Sequence, residues 1–310
     1  MKLSRRTFFK VHVAGAAALV TAPPSASAAG VAPSATARGV LVDTTRCIGC
    51  RACEAACAEA NTLGEPADAG GQAVFAHTRD TDPQTFTVVN RYPAAPAGSA
   101  ALPVRFAKKQ CMHCVEPACA SACPARALEK TAAGPVTYTA DRCLGCRYCM
   151  VACPFDVPKF EYEKAQPYVR KCNFCASRQA EGKAPACTEV CPTGALQFGT
   201  RAALLEEART RIYQNASQYV HHIYGEHEAG GTSWLYISDV PLETLGLKAG
   251  VSTTPYPELT KTALSAVPVV MTLWPPLLMG LYTFAHRRDA VAASEGTAGR
   301  HDDDRGDHHA

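Results

Sequence analysis

Hydrophobic positions along this chain come in short bursts rather than long periodic stretches. Gly39–Asp43, with its run of Val40, Leu41 and Val42, reads as a short strand, and Arg51–Ala60 as an alanine-rich helical turn. Phe86–Val89, Val104–Ala107, Val136–Thr139, Lys159–Tyr162 and Trp234–Ser238 are further strand-length runs, with Gly194–Phe198 closing another segment. Residues 61–102 are rich in Gly, Pro and Ala and read as an insertion or surface lobe. Over 201–212 the period changes. Leu204, Leu205, Ala208 and Ile212 fall on one face of a helix that Thr200 is placed to cap. Many small elements and little periodic core describe an α+β chain with little packing of its own to hold it together.

Two apolar stretches stand outside this pattern. The first is Val11–Ala22, preceded by Ser4-Arg5-Arg6-Thr7-Phe8-Phe9-Lys10 and followed by the small residues Ala26-Ser27-Ala28. It is too short for a bilayer, which needs roughly 20 residues. Residues 1–28 therefore read as a twin-arginine export signal built on Arg5 and Arg6, with a mature chain beginning near Ala29. The second stretch, 263–285, holds no charged residue. As a helix it measures about 34 Å, enough for one crossing. Pro268, Pro275 and Pro276 are expected to kink it. His286-Arg287-Arg288 follows, which puts this end in the cytoplasm and the body of an exported chain on the periplasmic face of the inner membrane. Residues 286–310 are polar and read as a disordered cytoplasmic tail.

Charge adds an exclusion. The formal net charge is +3, but Lys2, Arg5, Arg6 and Lys10 all lie in the signal, and no acidic residue precedes Asp43. The remainder is near neutral, with no electrostatic footprint for nucleic acid. No Walker loop, dinucleotide-binding glycine motif or His-Glu-x-x-His occurs.

The chemistry lies in sixteen cysteines. They fall into four groups with none left over: Cys47, Cys50, Cys53 and Cys57; Cys111, Cys114, Cys119 and Cys123; Cys143, Cys146, Cys149 and Cys153; Cys172, Cys175, Cys187 and Cys191. The third group has the C-x2-C-x2-C-x3-C-P spacing of bacterial ferredoxins, in which three thiolates bind one 4Fe–4S cluster and the fourth binds its partner. The second and fourth groups lengthen the loop between ligands, and the first has Ala58 in the proline position. A disulfide framework does not explain four x3-C endings, three of them followed by Pro. Structural zinc needs paired C-x2-C knuckles and leaves extra cysteines in every group. Four 4Fe–4S clusters account for all sixteen. Groups two and three form one two-cluster unit by proximity, with groups one and four wrapped around it, although spacing also permits group one to pair with group two.

An exported chain with so many free thiols meets an oxidising compartment. Loading clusters in the cytosol and exporting the folded product avoids disulfide formation. The bound clusters are anionic, and Arg46, Arg51, Lys108, Lys109, Arg142, Arg147, Arg170 and Lys171 flank the groups as offsetting charge or as solvated side chains. His113 lies between two ligands and reads as packing. His221, His222 and His227 around Tyr224 read as surface histidines, with a metal or proton role as the alternative, and His301, His308 and His309 in the tail as weak metal binders without a function.

The runs Gln110–Cys119 and Gly145–Pro154 resemble the four-cluster electron-transfer subunits of membrane redox complexes. The run His222–Thr232, the twin-arginine start and the C-terminal anchor narrow the resemblance to HybA-type iron–sulfur subunits of membrane-bound nickel–iron hydrogenases. The resemblance implies a tandem bacterial-ferredoxin-like fold of two two-cluster units with a C-terminal transmembrane helix. It also implies the ligand sets: Cys47, Cys50, Cys53 and Cys191; Cys111, Cys114, Cys119 and Cys153; Cys143, Cys146, Cys149 and Cys123; Cys172, Cys175, Cys187 and Cys57. The function it implies is non-catalytic. Electrons pass through four 4Fe–4S clusters between a periplasmic hydrogenase, with large and small subunits, and a multi-span quinone-reactive membrane subunit. The alternative is the beta subunit of a molybdopterin oxidoreductase such as formate dehydrogenase.

Overall fold

The computed structural model describes residues 36–64, 71–93 and 104–303. The export signal with Arg5 and Arg6, and His308 and His309, lie outside the described residues. Two compact units divide the chain: Ala28–Leu259 forms one, and Thr260–Ala310 belongs to the other.

The larger unit is organised by a three-stranded sheet. β1 (Arg38–Asp43) is central. It pairs antiparallel with β8 (Leu196–Thr200), Val42 opposite Leu196, and parallel with β9 (Trp234–Ile237), Val40 opposite Trp234. Strand alternation gives the two faces different tasks. Leu41, Leu235 and Ile237 face one way and pack against Leu204, Ala208 and Ile212 of α6 (Arg201–Gln214). Thr200 caps that helix, its Oγ1 accepting from the Ala203 amide at 3.4 Å. Val40, Val42, Trp234 and Tyr236 face the other way, into a core shared with Cys57, Cys111, Cys114, Cys172 and Cys187. One sheet therefore separates an ordinary helix-packed core from a core built around thiols.

The remaining strands form antiparallel pairs: β2 (Val88–Pro93) with β3 (Val104–Lys109), β4 (Leu128–Lys130) with β5 (Val136–Tyr138), and β6 (Lys159–Phe160) with β7 (Val169–Arg170). Short helices hold or follow cysteines of the groups: α1 (Ala52–Ala60), α2 (Ala118–Ser121), α3 (Tyr148–Ala152), α4 (Ala176–Ala180), which starts after Cys175, and α5 (Ala186–Glu189). The segment between groups one and two is tied down by Glu54. This buried carboxylate accepts from Arg51 (2.9 Å), from Arg79 (2.5 and 3.2 Å) and from the Val89 amide (2.5 Å).

In the second unit, α7 (Tyr256–Asp303) starts before the apolar stretch and passes through Pro268, Pro275 and Pro276 as a single helix. The part from Tyr256 to Ser294 is long and apolar enough to cross a membrane, and an 18-residue stretch within it reaches a mean hydropathy of 1.6. Leu264, Met271, Trp274, Leu278, Leu281 and Phe284 are exposed along it. The sequence reading ends the helix at Ala285 and begins a disordered tail there. The structure instead continues the helix to Asp303. Ala290, Ala292, Ala293 and Ala298 with Arg287, Arg288 and Arg300 favour helix in this stretch, so loss of hydrophobicity does not by itself end one.

Candidate metal centres

Each cysteine group opens with a Cys-x-x-Cys loop, and all four loops turn the same way. The residue before the second cysteine is left-handed in every case: Gly49 (φ 70°), His113 (φ 47°), Gly145 (φ 68°) and Phe174 (φ 58°). Glycine takes this conformation without steric cost, whereas His113 and Phe174 hold it under strain. The strain is supported by packing, because these two rings stack on each other at 4.9 Å. Main-chain amides in the loops turn toward sulfur: Gly145 N lies 3.4 Å from Cys143 Sγ, and Phe174 N lies 3.4 Å from Cys172 Sγ.

The thiols gather across the groups rather than within them. Cys47, Cys50, Cys53 and Cys191 line one cavity together with Lys108. Cys123, Cys143, Cys146 and Cys149 line another. The thiols acting most strongly on Cys57 are those of Cys187 and Cys175, and Cys57 in turn acts on Cys172. Cys114 is acted on by Cys119, Cys153 and Cys111. Electrostatic influence links these sets in series: Cys187 acts on Cys53, Cys111 on Cys172, and Cys149 on Cys119. The sets at the two ends contain the exposed Cys50 and Cys146, while Cys57, Cys172, Cys175, Cys187, Cys111, Cys114 and Cys119 in the middle are buried.

Burial raises the thiol pKa values, pushing Cys57 up to about 12 and Cys149 up to about 11, and Cys114 and Cys172 well above the ordinary value. Neighbouring thiols add to the shift. Such an environment is poor for a free thiolate and suits a sulfur whose charge is taken up by metal. Among the described residues, no three His, Cys, Asp or Glu side chains close on a space the size of a single ion. Four thiols around a wider space fit a cubane.

The flanking basic residues separate into two kinds. Arg46, Lys109, Arg142 and Arg147 are at least partly exposed. Arg51 pairs with Glu54, and Arg170 lies 3.5 Å from Glu161. Lys108 and Lys171 are buried among the cysteines. Lys171 donates to the carbonyls of Val136 (2.5 Å) and Cys172 (3.1 Å). His113 is fully buried, and burial followed by the charges of Lys171 and Lys130 holds its pKa well below that of free imidazole. Its Nδ1 accepts from the Val136 amide at 2.9 Å, so the proton of the neutral ring sits on Nε2. His222 does not join a metal site: its Nε2 meets Glu228 Oε1 at 2.9 Å, and Glu228 also accepts from the Gly225 amide. Sequence reasoning missed Asp43 and Glu54, buried carboxylates before and within the first group. Their signal was slight, a charged residue adjoining an apolar run.

Comparison with known proteins agrees with this geometry. Residues 102–201 match the 4Fe-4S dicluster domain family. The hydrogenase-2 operon protein HybA of Escherichia coli O157:H7 is 36% identical over 277 residues, covering 79% of this chain and 84% of HybA. This chain belongs to the HybA family of iron–sulfur subunits. Another relative, a protein of Nitratidesulfovibrio vulgaris, is 48% identical over 301 residues, or 94% of this chain and 80% of the relative. The iron-sulfur subunit of the nitrate-inducible formate dehydrogenase of Escherichia coli K12 is 36% identical over 202 residues, covering 64% of this chain and 66% of that subunit. Like these HybA and formate dehydrogenase subunits, the chain is an iron–sulfur electron-transfer subunit.

Proposed function

We propose that this chain carries electrons through four 4Fe–4S clusters between a periplasmic nickel–iron hydrogenase and a quinone-reactive membrane subunit. The observation that carries the reading is Cys57. Its thiol leaves its own group and faces Cys175 and Cys187 of the fourth, as the fourth cysteine of a ferredoxin motif does. The same exchange brings Cys191 to Cys47, Cys153 to Cys111 and Cys123 to Cys149. The ligand sets are then Cys47, Cys50, Cys53 and Cys191; Cys57, Cys172, Cys175 and Cys187; Cys111, Cys114, Cys119 and Cys153; and Cys123, Cys143, Cys146 and Cys149.

When bound, a 4Fe–4S cluster accepts and releases one electron at a time. The chain supplies the spacing and the insulation. Buried middle sets exclude water, and the exposed Cys50 and Cys146 leave the two ends open to partners. The twin-arginine signal delivers the loaded chain to the periplasm, and α7 anchors it. The HybA relationship covers 84% of that relative, against 66% for the formate dehydrogenase subunit, and favours the hydrogenase as partner.

Deleting the gene tests this assignment. Hydrogen-dependent quinone reduction should disappear, while hydrogen oxidation with an artificial dye continues. Loss of formate-dependent quinone reduction, with the hydrogen-dependent reaction spared, overturns the hydrogenase partner.

A further inference from the structure

Lys108 is a buried lysine without a carboxylate partner. It lies near the end of β3 and is only 3% exposed. Among the described residues no Asp or Glu forms an ion pair with it. The groups acting on it most strongly are the sulfurs of Cys187, Cys53, Cys172 and Cys57. An ammonium taken out of water costs several kcal/mol unless negative charge faces it. Among the described residues, the negative charge that faces it comes from the cysteine sets on either side.

Its position is held closely. Lys108 Nζ donates to Gln110 Oε1 at 3.0 Å, Gln110 Nε2 donates to the Tyr236 hydroxyl at 2.7 Å, and that hydroxyl donates to the Lys108 carbonyl at 2.8 Å. The ring of hydrogen bonds closes on the residue where it began. Beneath Nζ lies the indole of Trp234, with its centroid 4.5 Å away. Trp234 is completely buried, and its Nε1 has no hydrogen-bond partner. The lysine also lines the cavity of Cys47, Cys50, Cys53 and Cys191. It thus stands between that set and the set of Cys57, Cys172, Cys175 and Cys187.

We infer that Lys108 is a positioning residue for electron flow, a fixed buried cation that raises the reduction potentials of the two clusters flanking it. The inference rests on the four-cluster reading above. Adding an electron makes a cluster more negative, so a nearby positive charge favours the reduced form, and poor solvent screening keeps the effect large. No thiol of the Cys111 or Cys123 sets is among the groups that act most strongly on it. The chain therefore carries a built-in step in potential between its two halves.

The test is a redox titration, followed by electron paramagnetic resonance, of the full-length chain purified anaerobically. Iron and sulfide analysis of the same samples reports separately on the four-cluster reading. Lys108→Met should lower the reduction equilibrium constants of two clusters at least tenfold, about 59 mV for a one-electron couple, and leave the other two within twofold. Lys108→Arg keeps the charge and should restore both. Lys109→Met, which removes a partly exposed lysine paired with Asp80, should change none. If Lys108→Met does not fold, Gln110→Glu places a carboxylate against the ammonium and should shift potentials in the same direction. Full iron content with all four reduction equilibrium constants within twofold of wild type overturns the inference, as does an equal shift in Lys108→Arg.

Discussion

Arg211 and Asp43 form a buried ion pair, 2.8 Å from Nη1 to Oδ2, that ties α6 to the end of β1. Asp43 also accepts from the Thr45 amide (3.1 Å), the Thr45 hydroxyl (2.6 Å) and the Tyr219 hydroxyl (2.9 Å). The carboxylate thus fixes the turn that leads into Cys47. Asp43→Ala removes one of the two carboxylates on Arg211, which keeps Glu207 at 2.6 Å, and strands the Nη1 donor, a loss of about 1–3 kcal/mol. Thermal unfolding under anaerobic conditions should show a drop of several degrees, with the cluster of the Cys47 set the first to be lost. A midpoint within a degree of wild type contradicts this role.

Cys57 separates two ways of dividing the ligands. Cys57→Ser should impair the cluster otherwise held by Cys172, Cys175 and Cys187, and spare the one held by Cys47, Cys50, Cys53 and Cys191. Electron paramagnetic resonance of the variant reads the difference. Damage confined to a cluster built from groups one and two contradicts the nested sets.

The sequence made the local elements legible where one residue decides them. Thr200 announces the start of α6, and the alternation of Leu41 against Val40 and Val42 announces β1. It was less informative where the partner decides. β2 extends to Pro93, beyond the apolar residues Phe86–Val89, because its register with β3 supplies hydrogen bonds to polar Asn90 and Arg91. The thiols were legible as ligands from spacing alone. Which lysine would be buried was not. Lys108 and Lys109 are adjacent, yet strand alternation sends one among the cysteines and the other to Asp80. The closing of β1, β8 and β9 into one sheet, which places Trp234 beneath Lys108, depends on long-range pairing that no local pattern announces.

The raised thiol pKa values give loading a pH dependence. Cys57 at about 12 and Cys149 at about 11 are protonated at neutral pH in the metal-free chain. Each must lose its proton to bind iron, so loading releases protons. Between pH 6 and 9, below both values, every unit of rising pH lowers the cost of deprotonation. Reconstitution with iron and sulfide in weak buffer should acidify the solution and give higher occupancy at pH 8.5 than at 6.5. Occupancy that rises toward acid contradicts the assignment of these thiols as ligands.

Export and anchoring are separable. Arg5→Lys with Arg6→Lys should leave the chain in the cytoplasm with its clusters in place, which cell fractionation and visible absorption will show. Normal export would mean that another signal operates. Truncation before Ala263 should release the exported chain from membranes under carbonate extraction in cells lacking the membrane partner, and continued retention there would contradict α7 as the anchor.

The central claim is that all sixteen cysteines hold four clusters, and iron and acid-labile sulfide measured on anaerobically purified chain test it most directly. The account predicts about sixteen of each per chain, whereas stoichiometric zinc with little iron would contradict it.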